Sequence, residues 1–190
     1  MDGKKAVFLT AAASAAEFLG YYVSGSAALL SDAIFMAVGM VTLSIIVYGI
    51  RSKKTLAFAS AIGLFAVLSG FYLVLFSYRR FVAGNAVEPV SMLIFALSGI
   101  VFASLATRKS RGIYRREKMN PFVHVLRKTV PSLMVLSASL WILFTGEFLA
   151  DYLSGAIIGF FVIFESLLLF RDSACLLLGV KKSETCLFKN

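Results

Sequence analysis

Six apolar runs, near residues 5–24, 29–50, 55–78, 87–107, 122–145 and 150–170, take up almost the whole chain. Each is close to the roughly 20 residues that a helix needs to cross the hydrocarbon core of a bilayer. Inside lipid a backbone must satisfy its own polar groups, and a single apolar run does so by coiling into a helix. A water-soluble fold could not hide the surplus, since 59% of the 190 residues are hydrophobic and 15% are charged. The expected fold is therefore an all-α integral membrane bundle of six transmembrane helices over 1–172, followed by a short cytoplasmic tail over 173–190. The start, MDGKK then AVFLTAAASAA, has the basic and small-residue character of a cleaved signal peptide. Apolarity resumes after Glu17 for a full span, which favours a first helix instead.

The formal net charge is +9, and its distribution argues against nucleic acid as a partner. Lys4 and Lys5, then Arg51, Lys53 and Lys54, then Arg108, Lys109, Arg111, Arg115, Arg116 and Lys118, then Lys181 and Lys182 fall at alternate span boundaries. That is the pattern in which basic residues stay in the cytoplasm. The opposite boundaries hold Tyr21 and Tyr22, Glu88, and TGEFLAD with Glu147 and Asp151, with Arg79 and Arg80 dissenting. Both termini are thus expected to be cytoplasmic, in a multi-pass protein of a prokaryotic cytoplasmic membrane. The expected partners are the lipid bilayer itself, anionic lipid at the Arg108–Lys118 segment, and a second copy or another membrane protein.

Connections are short except over 108–121, which reads as a charged loop ending in Asn120-Pro121, with the proline opening the fifth helix. Pro89 opens the fourth in the same way, and Pro131 lies inside the fifth, where it frees a carbonyl. No internal repeat or low-complexity segment is evident. Gly155 and Gly159 form a GxxxG pair on one helical face, expected to serve close packing within the bundle rather than a dimer seam. Cys175 and Cys186 have no CxxC or Cys/His context and read as reduced thiols.

With the spans in order, AAEFLGYYVSGSAALLSDAI resembles the first-to-second-helix signature of the cation diffusion facilitator family. Glu17, Gly20, Ser24-Gly25-Ser26, Ala28-Leu29-Leu30 and Asp32-Ala33 carry it. TGEFLAD (145–151) is similar to the family's turn between the fifth and sixth helices, and FRDSACLLLG (170–179) to the end of its sixth. The resemblance implies a six-helix transporter bundle of the kind that exports zinc and related divalent ions. It also implies a transport site of a His or carboxylate and an Asp, four residues apart, on each of the second and fifth helices. Residues i and i+4 share a helical face, so two facing helices supply four ligands, the tetrahedral number for zinc.

Here those positions are degenerate. Three and seven residues after Asp32 stand Phe35 and Gly39, and neither can bind a metal. On the fifth helix VHVLRKTVPS resembles the HVLxD form of the motif, which places His124 and Lys128 at the ligand positions. The neighbouring register gives Val125 and Thr129, and the aspartate is absent in both. The basic-acidic patch that opens the family's third helix is replaced by TLAFASAIG, and fewer than twenty residues follow Arg171, too few for the family's cytoplasmic metal-binding domain.

Glu17, Asp32, Glu165 and His124 are the candidate transport-path residues, because ionisable groups within a bilayer mark pathways or internal pairs. Glu17 and Asp32 have a second reading, near the outer interface, partly hydrated and bonded to Ser24, Ser26 or Ser31. For Glu165 the first reading is a structural pair with a basic residue. Lys128 is a cytoplasmic anchor if its helix begins at Val130, and stands where the family's metal stands if the helix begins near Met119. No HExxH and no GxSxG offers an enzyme its chemistry. The leading expectation is a transporter moving a cation or other small solute by alternating access without the tetrahedral zinc site. The alternative is a non-transporting relative acting as a partner or regulatory subunit. A divalent cation, zinc by the resemblance alone, is the cargo it implies.

Overall fold

The computed structural model describes residues 2–48, 53–116 and 121–178, and all of its regular structure is helical. The helices are α1 (Asp2–Ser24), α2 (Ala27–Tyr48), α3 (Lys53–Ala83), α4 (Pro89–Arg116), α5 (Pro121–Thr145) and α6 (Leu149–Leu177). α1, α2, α3, α4 and α6 are each long and apolar enough to span a bilayer. In α5 the apolar described part is Thr129–Thr145, 17 residues, at the lower bound for a span. The start of the span expected over 122–145 carries His124, Arg127 and Lys128 among its apolar residues.

One expectation needs correction. The segment 108–121 is not a loop up to the proline, since α4 continues to Arg116. Arg and Lys are good helix formers, and a helix already nucleated in lipid extends readily past the apolar region. The sixth helix runs to Leu177, within the 170–179 segment that the resemblance gives as its end, and carries an Arg171–Asp172 ion pair at 3.0 Å. Lys118 lies outside the described residues.

α1, α2, α4 and α5 pack into a four-helix bundle, while α3 packs on α6 and α6 joins the pair to α2 and α5. Small residues explain the α3–α6 seam. The buried face of α3 is Leu56, Ala59, Gly63, Ala66, Gly70, Leu73 and Ser77, spaced alternately three and four residues apart. A Cβ on Gly70 would meet the Gly159 carbonyl oxygen at 3.1 Å, and one on Gly63 would meet the Phe170 backbone nitrogen at 2.9 Å. Gly155 faces Ser77 and Ala27 in the same manner. The GxxxG pair therefore serves packing inside the bundle, as expected, because lipid gives helices no hydrophobic reason to associate and close backbone approach must supply the contact.

The turns after α1, α3 and α5 gather at one end of the bundle. The Glu88 amide donates to the Ser24 carbonyl at 3.0 Å, and the Tyr152 hydroxyl donates to the Asn85 carbonyl. The boundary charges lead to the expectation that this end lies outside and α4's basic end inside. Single cysteines introduced by Gly84→Cys and Gly112→Cys, in a chain lacking Cys175 and Cys186, test this with an impermeant thiol reagent on intact cells. Labelling is expected at 84 and not at 112, and the reverse pattern would overturn the orientation.

Candidate functional site

At the turn end, Gly25 takes φ +71°, a left-handed conformation natural to glycine, and lets α2 start immediately after α1. Ser26 then caps α2: its hydroxyl accepts from the Leu29 amide at 3.1 Å. The remaining donors go to Asp151 of α6. Its carboxylate accepts the Ser26 hydroxyl, the Ala27 amide at 2.8 Å and the Ala28 amide at 3.1 Å, and the residue is fully buried. The two motifs that the sequence singled out, SGSAALL and TGEFLAD, thus meet in one hydrogen-bonded joint.

Arg80 belongs to the same joint. It lies within electrostatic reach of Asp151, its guanidinium stands 5.7 Å from the Phe76 ring, and its Nη2 would meet a Cβ on Gly25 at 3.3 Å. The dissenting positive charge is therefore matched to a buried acid. Sequence reading placed Asp151 at the boundary and missed its burial. The signal was available in the short α5–α6 turn and the SGS cap, but only the meeting of α2 with α6 assigns the partners.

Deeper in the bundle, Glu17 and Asp32 come together. Glu17 is seven residues before the end of α1 and Asp32 five after the start of α2, so both lie about 8–10 Å below the turns. Each is 1% exposed. The expected partial hydration and bonds to serines are not found. Ser24 donates to the Gly20 carbonyl at 2.7 Å and Ser26 to Asp151, while Ser31 bonds neither acid. The two carboxyls are close enough to act on each other, and Ser132 of α5 stands beside Asp32. Even so, none of the four carboxyl oxygens, nor the hydroxyls of Ser31 and Ser132, makes a well-formed hydrogen bond within the described residues. On the α4 side Glu17 rests on Gly99, where a Cβ would meet the carboxyl carbon at 3.0 Å and overlap Oε1. The pair is thus built by four helices, with Gly99 and Ser132 as members that sequence reasoning did not select.

A polar track continues from the pair toward the other end. Thr10, Ser14 and Glu17 share one face of α1, and the Ser14 hydroxyl donates to the Ala33 carbonyl at 2.8 Å. Below it a small cavity, with room for about one water, is lined by Thr10, Met36, Leu43, Ala103, Thr107 and Ser110.

The family's ligand positions look different. Phe35 is 3% exposed within the main apolar cluster, among Met92, Ala96, Val135 and Ala138, and Gly39 is half-buried. α5 begins at Pro121, so Lys128 stands two turns inside the helix. The side chains of His124 and Lys128 lie outside the described residues. Glu165 is half-buried on α6, about 24 Å along the bundle from the turns, and is not brought to the acidic pair. Among the described residues no three of His, Cys, Asp and Glu converge as a metal group.

Residues 4–178 match the family model of the cation efflux transmembrane domain. The chain belongs to the cation efflux family. The match covers all six helices, so this is a multi-pass membrane protein of a transporter family, and the resemblance in the two turn motifs holds over the full bundle. Among curated proteins no match to the chain is found. This member carries Phe35 and Gly39 where the resemblance implies the second-helix ligands.

Proposed function

We propose that this cation efflux protein moves a cation or another small solute across the membrane by alternating access, with Glu17 and Asp32 supplying the charge that the tetrahedral site supplies elsewhere in the family. One observation carries the reading: two carboxyls, each 1% exposed and, among the described residues, without a well-formed hydrogen bond, face each other where α1, α2, α4 and α5 meet. An ionisable group in mid-membrane costs at least about 2.5–3.5 kcal/mol, and a second beside it adds repulsion. A purely structural bundle gains nothing from that arrangement, whereas a transport site needs groups whose charge is completed by cargo or protons.

The non-transporting reading has one observation in its favour, the Phe35 ring set in the apolar core at a ligand position. Proteoliposomes separate the two. Uptake of at least one of zinc, manganese, cobalt or magnesium is expected above protein-free vesicles, and Glu17→Gln should lower it at least tenfold. No flux of any of these ions from well-folded protein would leave the partner or regulatory role as the better account.

A further inference from the structure

Among the described residues, the polar atoms at the acidic pair are four carboxyl oxygens and the Ser132 hydroxyl, with no nitrogen and no sulfur. Ligand type selects metal: carboxylate and hydroxyl oxygens suit magnesium, manganese and calcium, while zinc export sites draw on imidazole. Charge selects valence, since two carboxylates are balanced by one divalent ion.

We infer that Glu17 and Asp32, with Ser132, form an oxygen-donor site for a hard divalent cation such as magnesium or manganese. The site lies in the α1, α2, α4 and α5 bundle and not at the α2–α5 ligand positions of Phe35 and Gly39. The polar face of α1 leads to it: Thr10 lines the cavity, Ser14 stands one turn above, and Glu17 holds the end. Gly99 is a positioning residue, since any side chain there would push the Glu17 carboxyl off its place. The inference rests on the pair being the transport site, yet binding and flux can be read separately.

The test is equilibrium binding of manganese to the purified full chain in detergent, followed by electron paramagnetic resonance, with magnesium as competitor. One manganese per chain is expected, displaced by magnesium. Glu17→Gln and Asp32→Asn should each weaken binding at least tenfold, and Glu165→Gln should leave it unchanged. Removing Cys175 and Cys186 should also leave it unchanged. A second measurement needs no variant: bound manganese should shield Glu17 and Asp32 from dicyclohexylcarbodiimide, an apolar carboxyl reagent, with modification read by mass spectrometry. No manganese binding up to millimolar concentration, binding indifferent to both carboxyl variants, or equal modification with and without manganese would each overturn the site. Flux that depends on Glu17 without manganese binding would sink this inference and leave the transporter reading standing. Binding without flux of any ion would do the opposite.

Discussion

Asp151→Ala lowers the stability of the bundle by about 3 kcal/mol or more, the largest loss expected from a single substitution at the turn end. The carboxylate accepts from the Ser26 hydroxyl and the Ala27 and Ala28 amides, all fully buried. A buried donor left without its acceptor costs about 1–3 kcal/mol, and bonds to a charged group lie toward the upper part of that range. The change also removes a negative charge from the N-terminus of α2, where the helix dipole favours one. It strips Arg80 of the acid within its reach as well. Asp151→Asn should cost less, because one amide oxygen still accepts while its NH2 faces donors. Glu147→Gln, an exposed change in the same turn, should lie within about 0.5 kcal/mol of the parent. Thermal unfolding in detergent reads all three. An Asp151→Ala protein that melts with the parent would mean that water or a neighbouring group satisfies α2 in its place, and that the joint between the two motifs is not what holds α6 to α2.

Phe35→His, Gly39→Asp and Lys128→Asp, introduced together beside native His124, should create tight zinc binding. The family's four ligands come from i and i+4 pairs on the second and fifth helices, and α2 and α5 are in contact in this chain. Replacing Phe35 removes a ring from the apolar cluster, a loss of order 3–5 kcal/mol if the site does not collapse. Two new aspartates repel each other until metal or protons intervene. The triple variant should therefore melt below the parent without zinc and recover with it, since a ligand bound only by the folded state stabilises that state. A double variant that keeps Lys128 should show no recovery, because an ammonium at a ligand position repels the metal. A well-folded triple variant indifferent to micromolar zinc would mean that the bundle does not bring these two helices together as the family does, or that His124 is not the ligand position.

Hydropathy made the spans legible because bilayer thickness and the need to satisfy backbone bonds leave a chain few choices. Five helices meet the length and apolarity of a span, and Pro89 and Pro121 stand at the first positions of α4 and α5 as their chemistry requires. The GxxxG pair was legible as packing, since glycine spacing sets a face independently of partner. Helix ends were less so: α4 runs through Arg116 because charged residues that leave lipid can remain helical in water.

What the sequence by itself determined, then, was the helical membrane bundle and the order of its spans, which follow from local composition and span length. Which polar groups meet was decided by tertiary structure alone. Asp151 and Ser26 are 125 residues apart, and their bond exists because α6 lies against α2. Glu17 and Asp32 share a depth in any tight hairpin of α1 and α2. Their isolation from water, and the placing of Gly99 and Ser132 around them, depend on how α4 and α5 close the bundle. The physical reason is that burial in lipid is a property of a span, legible from its residues one at a time. Satisfaction of a buried carboxyl is a property of its neighbours, and those are chosen by helix packing.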